Sequence, residues 1–356
     1  MSAPGYNLGK HVIPLEALRS KVCVQARSNR DPVVDAIRGA AILLVVLGHG
    51  LQYSLGDGFQ HNIVFRAIYS FHMPLFFAIS GYLFKESDSL RDGLVRMRDR
   101  TFCLLVPYFL WTLIWHIFYM VSHAYFGTAA KGPSLWFLPV LLTCSWIHAS
   151  IVLLSKGRGT AIVAMLGLSA ILLMHATGSM GFWVGSVRYH YIFFWIGAIA
   201  RRLHFNASPP CLLMSIAAGL LWFVLLPYWE FSSIPDWLRS FTGSLFLQRM
   251  LWLAFKVVVA MLGIYAVHSV IARLPRHGMV LLSCMGLHSI HIYLVHIGLV
   301  TFTFPYATPF GVTFWLFFAL LLAVPILIAT VVGHNTYASM LLFGRWPLSP
   351  RLNLAS

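Results

Sequence analysis

The sequence predicts an all-α polytopic membrane protein of about ten transmembrane helices, with both termini cytoplasmic. Three observations carry that reading. Of 356 residues, 59% are hydrophobic and only 10% are charged, where a soluble domain carries about 25% charged residues. Apolar runs long enough to cross a bilayer recur along the whole chain. Lysine and arginine alternate between the two sides those runs define.

The predicted spans lie near 33–55, 67–85, 102–124, 135–155, 161–175, 188–203, 210–229, 249–272, 279–303 and 311–333. One side then holds residues 1–30, the stretch 85–101, the short loops 156–160, 201–204 and 273–278, and the C-terminal tail. That side carries 18 of the 25 Lys and Arg, and the other carries five: Arg66, Lys131, Arg188, Arg239 and Arg249. Arg38 and Lys256 fall within spans. The basic side is therefore expected in the cytoplasm. Three parts follow: a basic cytoplasmic tail at 1–30, a transmembrane domain at 31–335 and a cytoplasmic tail at 336–356. Residues 1–30 lack an apolar h-region, so the first span is expected to act as the insertion signal.

The net charge of +15 is mostly this topology. The basic residues are scattered over short loops, so no nucleic-acid partner is expected. Contact with anionic membrane lipid is a by-product of the same charges. Cys23, Cys103, Cys144, Cys211 and Cys284 are dispersed and odd in number, which suggests neither a disulfide framework nor a metal cluster. The outward segment at about 230–248 is long enough to cap a cavity.

The first span opens with DAIRGAAILLVVLGHG at 35–50. Arg38 and His49 are eleven positions apart, about three turns, so they share a helix face and stand roughly 16 Å apart along it. Ionisable groups in a span are costly and are functional candidates by default. Arg38 has two readings: an interfacial Arg paired with Asp35, or an anchor for an anionic cofactor arriving from the cytoplasm. Its spacing to His49 favours the second.

The ten carboxylates all lie outside the middle of the spans, which argues against a paired-carboxylate mechanism and against ion-coupled transport. Histidine remains. A neutral imidazole can serve as general base without a standing buried charge. His49 and His72 fall at similar depth in the first two spans, so the sequence permits both to face one cavity. Asp35 is about 21 Å from His49 along the helix and cannot orient it. An orienting partner is expected from another span, with His72, a tyrosine or a loop carboxylate as candidates. His288, His291 and His296 lack a carboxylate or cysteine to complete a ligand set, so no metal is expected.

The segment FHMPLFFAISGYLF at 71–84 contains Pro74, able to kink its helix, and Ser80 and Gly81, which allow close helix approach. Trp136 and Phe137 suit a membrane interface. Tyr82, Tyr108 and Tyr293 are candidate hydrogen-bond donors to a substrate.

These segments, in this order, resemble the acyltransferase-3 family of integral membrane acyltransferases. Arg38 and His49 match its first-helix motif, 71–84 its second-helix segment, and WFLPVLL its Trp-Phe segment. HSIHIYLVHIG at 288–298 resembles a late stretch that maps Ser289, Tyr293 and His296. The resemblance covers about residues 30–335 and matches the stand-alone members, which include enzymes decorating exopolysaccharides and others modifying Nod factors or macrolides. It implies O-acyl transfer, usually of acetyl from acetyl-CoA, to a polysaccharide or lipid-linked oligosaccharide in a bacterial inner membrane, beside the polysaccharide biosynthesis machinery. Arg38, His49 and His72 are then the expected catalytic residues, with Arg38 also holding the donor. Asp35, Ser80, Tyr82, Trp136, Ser289, Tyr293 and His296 are expected to line the substrate cavity. Succinyl transfer and acylation of a secreted small molecule stay open, as does a glycan or lipid flippase.

Overall fold

The computed structural model describes residues 31–344 apart from 88, 127–133, 157, 177–180, 205–209 and 232. The expected tail at 1–30 and residues 345–356 lie outside the described residues. Thirteen α-helices and three short 3-10 turns make up the described chain, with no strand among the described residues. The all-α polytopic architecture is as the composition requires: a segment without water to bond its backbone must satisfy it internally.

The helices are α1 (Pro32–Ser54), α2 (Ile63–Tyr82), α3 (Leu90–Phe126), α4 (Phe137–Ser155), α5 (Thr160–Ala176), α6 (Gly181–Arg202), α7 (Leu212–Leu225), α8 (Asp236–Phe241), α9 (Leu245–Ile271), α10 (Arg276–Leu287), α11 (Ser289–Thr303), α12 (Val312–Val332) and α13 (Thr336–Phe343). Seven of them are long and apolar enough to cross a membrane: α1, α2, α3, α4, α9, α11 with its following turn, and α12. Helices α5 and α7 are apolar but shorter. Helix α6 is long enough but carries Arg188, Arg201 and Arg202.

Two stretches differ from the predicted spans. The run at 279–303 is not one helix. It breaks at His288 (φ −98°, ψ 7°), a conformation at the edge of the helical region, and α11 restarts at Ser289. The stretch 85–101, read as a cytoplasmic connection, is helical from Leu90 and runs without interruption into the membrane part of α3.

Helix ends follow local chemistry. The Asp31 side chain accepts the Val33 N–H at 2.8 Å, and Pro32 occupies the first turn of α1. Asn62 caps α2 in the same way, accepting from Val64 and Phe65. Helices α1 and α2 form the centre. Helix α1 packs against α10, α2, α11 and α12, and α2 packs against α6, α1 and α9. Small residues make this possible. A Cβ added to Gly39 would collide with the Leu282 carbonyl of α10, and one on Gly286 would collide with the Asp35 carbonyl of α1. Gly81 and Gly197 do the same for α2 and α6. Where lipid is as apolar as the side chains, such close backbone approach is what holds helices together. The outer faces stay apolar: Phe109, Leu113, Ile117 and Phe118 on α3 and most of α7 are exposed.

The C-terminal part closes on the same bundle. Helix α13 lies along α3, where the Trp111 indole donates to the Leu342 carbonyl at 2.8 Å. Gly344, with φ +67°, sits against the Cys103 carbonyl. Pro107 leaves that carbonyl without its helical donor, so no side chain could be accommodated at Gly344.

Candidate active site

A cavity of about 680 Å³ enters the bundle between α1, α2, α3, α4 and the start of α11. Arg38, Lys85, Arg96 and Arg100 line it together with Asp99, and Val45, Phe76, Phe137, Leu141 and Tyr293 make up much of the rest. The four cations belong to stretches that the charge alternation assigns to the basic side or the start of the first span. The break at His288 starts α11 beside α1. There the Arg38 guanidinium donates to the Ser289 hydroxyl at 3.0 Å and pairs with Asp35 at 3.6 Å. The Arg100 guanidinium lies 5.5 Å over the Phe84 ring. The Nε atoms of Arg96 and Arg100 are buried without a hydrogen-bond partner among the described residues. An anion entering here meets several donors at once.

The loop that carries Lys85 into this wall is clamped from behind. Glu86 takes the His148 imidazole at 3.1 Å and the Arg202 guanidinium at 2.5 Å, joining the end of α2 to α4 and α6. Burial alone would push the Glu86 carboxyl up; the hydrogen bonds and charges of His148 and Arg202 outweigh it and hold the carboxyl below its ordinary value.

Past the inner end of the cavity stands a group of histidines. His49 is one turn beyond Val45 on α1, and His296 is one turn beyond Tyr293 on α11. Their rings are 5.6 Å apart. Tyr69 sits between His49 and His72, with its hydroxyl 3.3 Å from the His49 Nδ1 and its ring 4.7 Å from the His72 ring. The Gln52 Oε1 accepts from the Tyr69 hydroxyl at 2.9 Å and faces the His49 Nδ1 at 3.3 Å. Since Oε1 can only accept, this network assigns the His49 proton to Nδ1 and leaves Nε2 with its lone pair free to act. The same logic applies to its neighbours. Nδ1–H of His72 donates to the Ile68 carbonyl and Nδ1–H of His296 to the Ile292 carbonyl, both at 2.8 Å. The Nε2 of His296 is buried with no partner among the described residues. Three imidazoles therefore present a basic nitrogen around one region.

The expected site residues divide into three sets. Arg38, Ser80, Ser289 and Tyr293 line the cavity. His49, His72 and His296 gather just beyond it. Asp35, Tyr82 and Trp136 are not among the described residues of its lining. Asp35 instead pairs with Arg38, the Tyr82 carbonyl accepts from Arg201, and the Trp136 ring packs 5.2 Å from His190. The partners at the His49 Nδ1 include a tyrosine from another span, Tyr69, as expected, and one residue that was not expected, Gln52. Gln52 comes from the same helix, three residues on, and only Tyr69 comes from another. Gln52 is a polar residue inside an apolar run at i+3 from His49, a signal the sequence carries. In the sequence Lys85, Arg96 and Arg100 read as topology-setting charges, and nothing local marks them as lining one cavity.

Residues 31–334 match the model of the acyltransferase-3 family, an acyltransferase domain. The nodulation protein NolL of Sinorhizobium fredii is 35% identical over 191 residues, which are 49% of this chain and 50% of that protein. The nodulation protein NolL of Mesorhizobium japonicum is 41% identical over 97 residues, 26% of each chain. The matched stretch thus spans about half, or less, of the length of these curated relatives. No solved structure matches the chain. With the family model covering most of the sequence, including both the cationic cavity and the histidine group beyond it, the chain belongs to the acyltransferase-3 family of membrane acyltransferases.

Proposed function

We propose that this protein is an O-acyltransferase of a bacterial inner membrane. It takes acetyl from cytoplasmic acetyl-CoA and transfers it to a sugar hydroxyl of a cell-surface polysaccharide or its lipid-linked repeat unit. The observation that carries this reading is the cavity that runs from Arg38, Lys85, Arg96 and Arg100 to within one turn of His49 and His296. The cations suit the phosphates of CoA, and the apolar depth suits a thioester on its flexible arm. With the basic side in the cytoplasm, the donor enters from within and the acceptor meets His49 from outside.

In this mechanism the His49 Nε2 takes the proton of the acceptor hydroxyl while the hydroxyl oxygen attacks the thioester carbonyl. The carbon–sulfur bond breaks, and the departing thiolate takes the proton from His49 and leaves as the thiol. Gln52 and Tyr69 hold the imidazole in the required tautomer. His72 and His296 add basic nitrogens on either side. The acyl group crosses the membrane and CoA does not.

A second acceptor is favoured by one observation. Both relatives are nodulation proteins, which supports a secreted acceptor of the Nod-factor kind using the same helices.

Membranes carrying this protein, given labelled acetyl-CoA and the host's glycan, should move label to the glycan. His49→Ala should lower transfer by roughly 10²–10⁴-fold, the usual worth of a general base, and Arg38→Ala should raise the KM for acetyl-CoA. Wild-type rates in His49→Ala would overturn the mechanism. Acceptor movement without consumption of acetyl-CoA would point to a transporter instead. Mass spectrometry of the acceptor distinguishes acetyl from succinyl.

A further inference from the structure

Lys256 has no role in the chemistry above. It stands eleven residues into α9, about 16 Å from the helix start, where a cation needs compensation. No carboxylate forms an ion pair with it among the described residues, although the charge of Glu230 acts on it from beyond contact distance. Its ammonium donates to the Phe231 carbonyl at 3.2 Å and lies 5.0, 5.8 and 5.9 Å from the rings of Trp252, Tyr189 and Trp229. An ammonium has three donors, and one carbonyl uses one of them. Beside it the Trp229 indole N–H is buried, at 3% exposure, with no partner among the described residues.

The backbone explains why these groups gather. Helices α6 and α9 each pack on α2 and hardly meet one another. In the cleft between the two backbones the side chains of Tyr189 and His190 from α6 meet those of Trp252 and Lys256 from α9. Two more cations mark its approach. Arg249 is seven residues before Lys256, on the same face of α9, and faces the like charge of Arg188 on α6. Cations thus lead down from the outer side toward Lys256.

The cleft shares a wall with the histidine group. Phe231, whose carbonyl holds Lys256, packs its ring 5.3 Å from the Tyr69 ring. The Tyr69 hydroxyl in turn reaches His49. A molecule anchored at Lys256 would lie across Tyr69 toward the histidine group. The aromatic rings around the cleft suit the apolar faces of sugar rings.

We propose that this cleft is the acceptor site, with Lys256 and the Trp229 N–H binding an anionic group of the acceptor, a phosphate or a carboxylate. The inference rests on the acyl-transfer reading above. Lys256 is a binding residue here and takes no part in the chemical step.

The test compares wild type, Lys256→Gln and Lys256→Arg in full-length protein. Membranes receive labelled acetyl-CoA with one of three acceptors: a polyprenyl-phosphate-linked saccharide, a soluble hexuronic-acid oligosaccharide, or a neutral oligosaccharide of equal length. Lys256→Gln should raise the KM for one anionic acceptor about tenfold, the worth of one charge-assisted hydrogen bond. It should leave the KM for acetyl-CoA unchanged, and Lys256→Arg should restore most of the loss. The acceptor affected tells phosphate from carboxylate. Unchanged acceptor KM values in Lys256→Gln would overturn the inference while leaving the acyl-transfer reading intact. Should wild type transfer nothing, that reading falls and binding decides alone. Native mass spectrometry of purified protein should then detect polyprenyl phosphate or the hexuronic oligosaccharide on wild type and not on Lys256→Gln. Failure of wild type to bind either probe, or equal binding by Lys256→Gln, would overturn the site. Equal retention of phosphatidylglycerol at Lys256 would make it an ordinary lipid contact and overturn the acceptor assignment.

Discussion

The two ends of this bundle handle buried charge differently. At the proposed donor end, Arg38 and Lys85 stand near helix ends, where long cationic side chains keep contact with water and lipid phosphate, while Arg96 and Arg100 lie further along α3 and are part-buried. Their local partners are few: Asp35 and Ser289 for Arg38, and the Phe84 ring for Arg100. At the outer end the polar groups lie deeper and are held more tightly. Imidazoles donate Nδ1–H to backbone carbonyls, Gln52 and Tyr69 fix His49, and aromatic rings enclose Lys256. On the proposed reading, the donor end receives a mobile, highly charged molecule. The outer end is built to keep neutral bases in fixed tautomers. A shallow cation can rely on its surroundings, whereas a deep polar group needs a named partner.

Among changes that leave the histidines in place, changing the donor end should have the largest effect and should be confined to the donor. The double variant Arg96→Gln/Arg100→Gln is expected to lower kcat/KM for acetyl-CoA roughly 100-fold or more, about tenfold per lost charge-assisted contact. The acceptor KM should stay unchanged. Steady-state kinetics with each substrate varied in turn checks this, and an equal rise in acceptor KM would erase the distinction between the two ends.

Gln52→Leu probes the fastening at the outer end. Without Oε1 the His49 tautomer is no longer fixed, and kcat should fall about tenfold with little change in either KM. The pH–rate profile should shift with it. A pure KM effect would mean that Gln52 touches substrate and does not position His49.

The smallest effect concerns the clamp behind Lys85. The Glu86 carboxyl is held below its unfolded value, so its contribution to stability is present above the ordinary carboxylate range and fades as pH falls through the folded value. The difference in thermal stability between wild type and Glu86→Gln should therefore be largest near neutral pH and shrink toward acid. A difference that grows as pH falls would break this account of the clamp.

The membrane class was legible in the sequence because apolar runs of this length have few other fates. Arg38 and His49 were legible because helical periodicity alone puts them on one face. Ser80, Ser289 and Tyr293 were legible by family resemblance, and the cavity lies among them. The break at His288 was not legible, since an apolar run reads the same whether it is one helix or two. The clamp of Glu86 on His148 and Arg202 was equally hidden, because it joins residues 62 and 116 positions apart.

By itself the sequence determined that apolar helices recur along the chain, since hydropathy and period are properties of the segment alone. Only the tertiary structure decided which segments meet. The close approach of α1 and α10 at Gly39 and Gly286 brings Ser289 to Arg38. The near-miss of α6 and α9 over α2 leaves their side chains to meet around Lys256. Such contacts depend on the shapes of facing surfaces far apart in the chain, which no local pattern encodes.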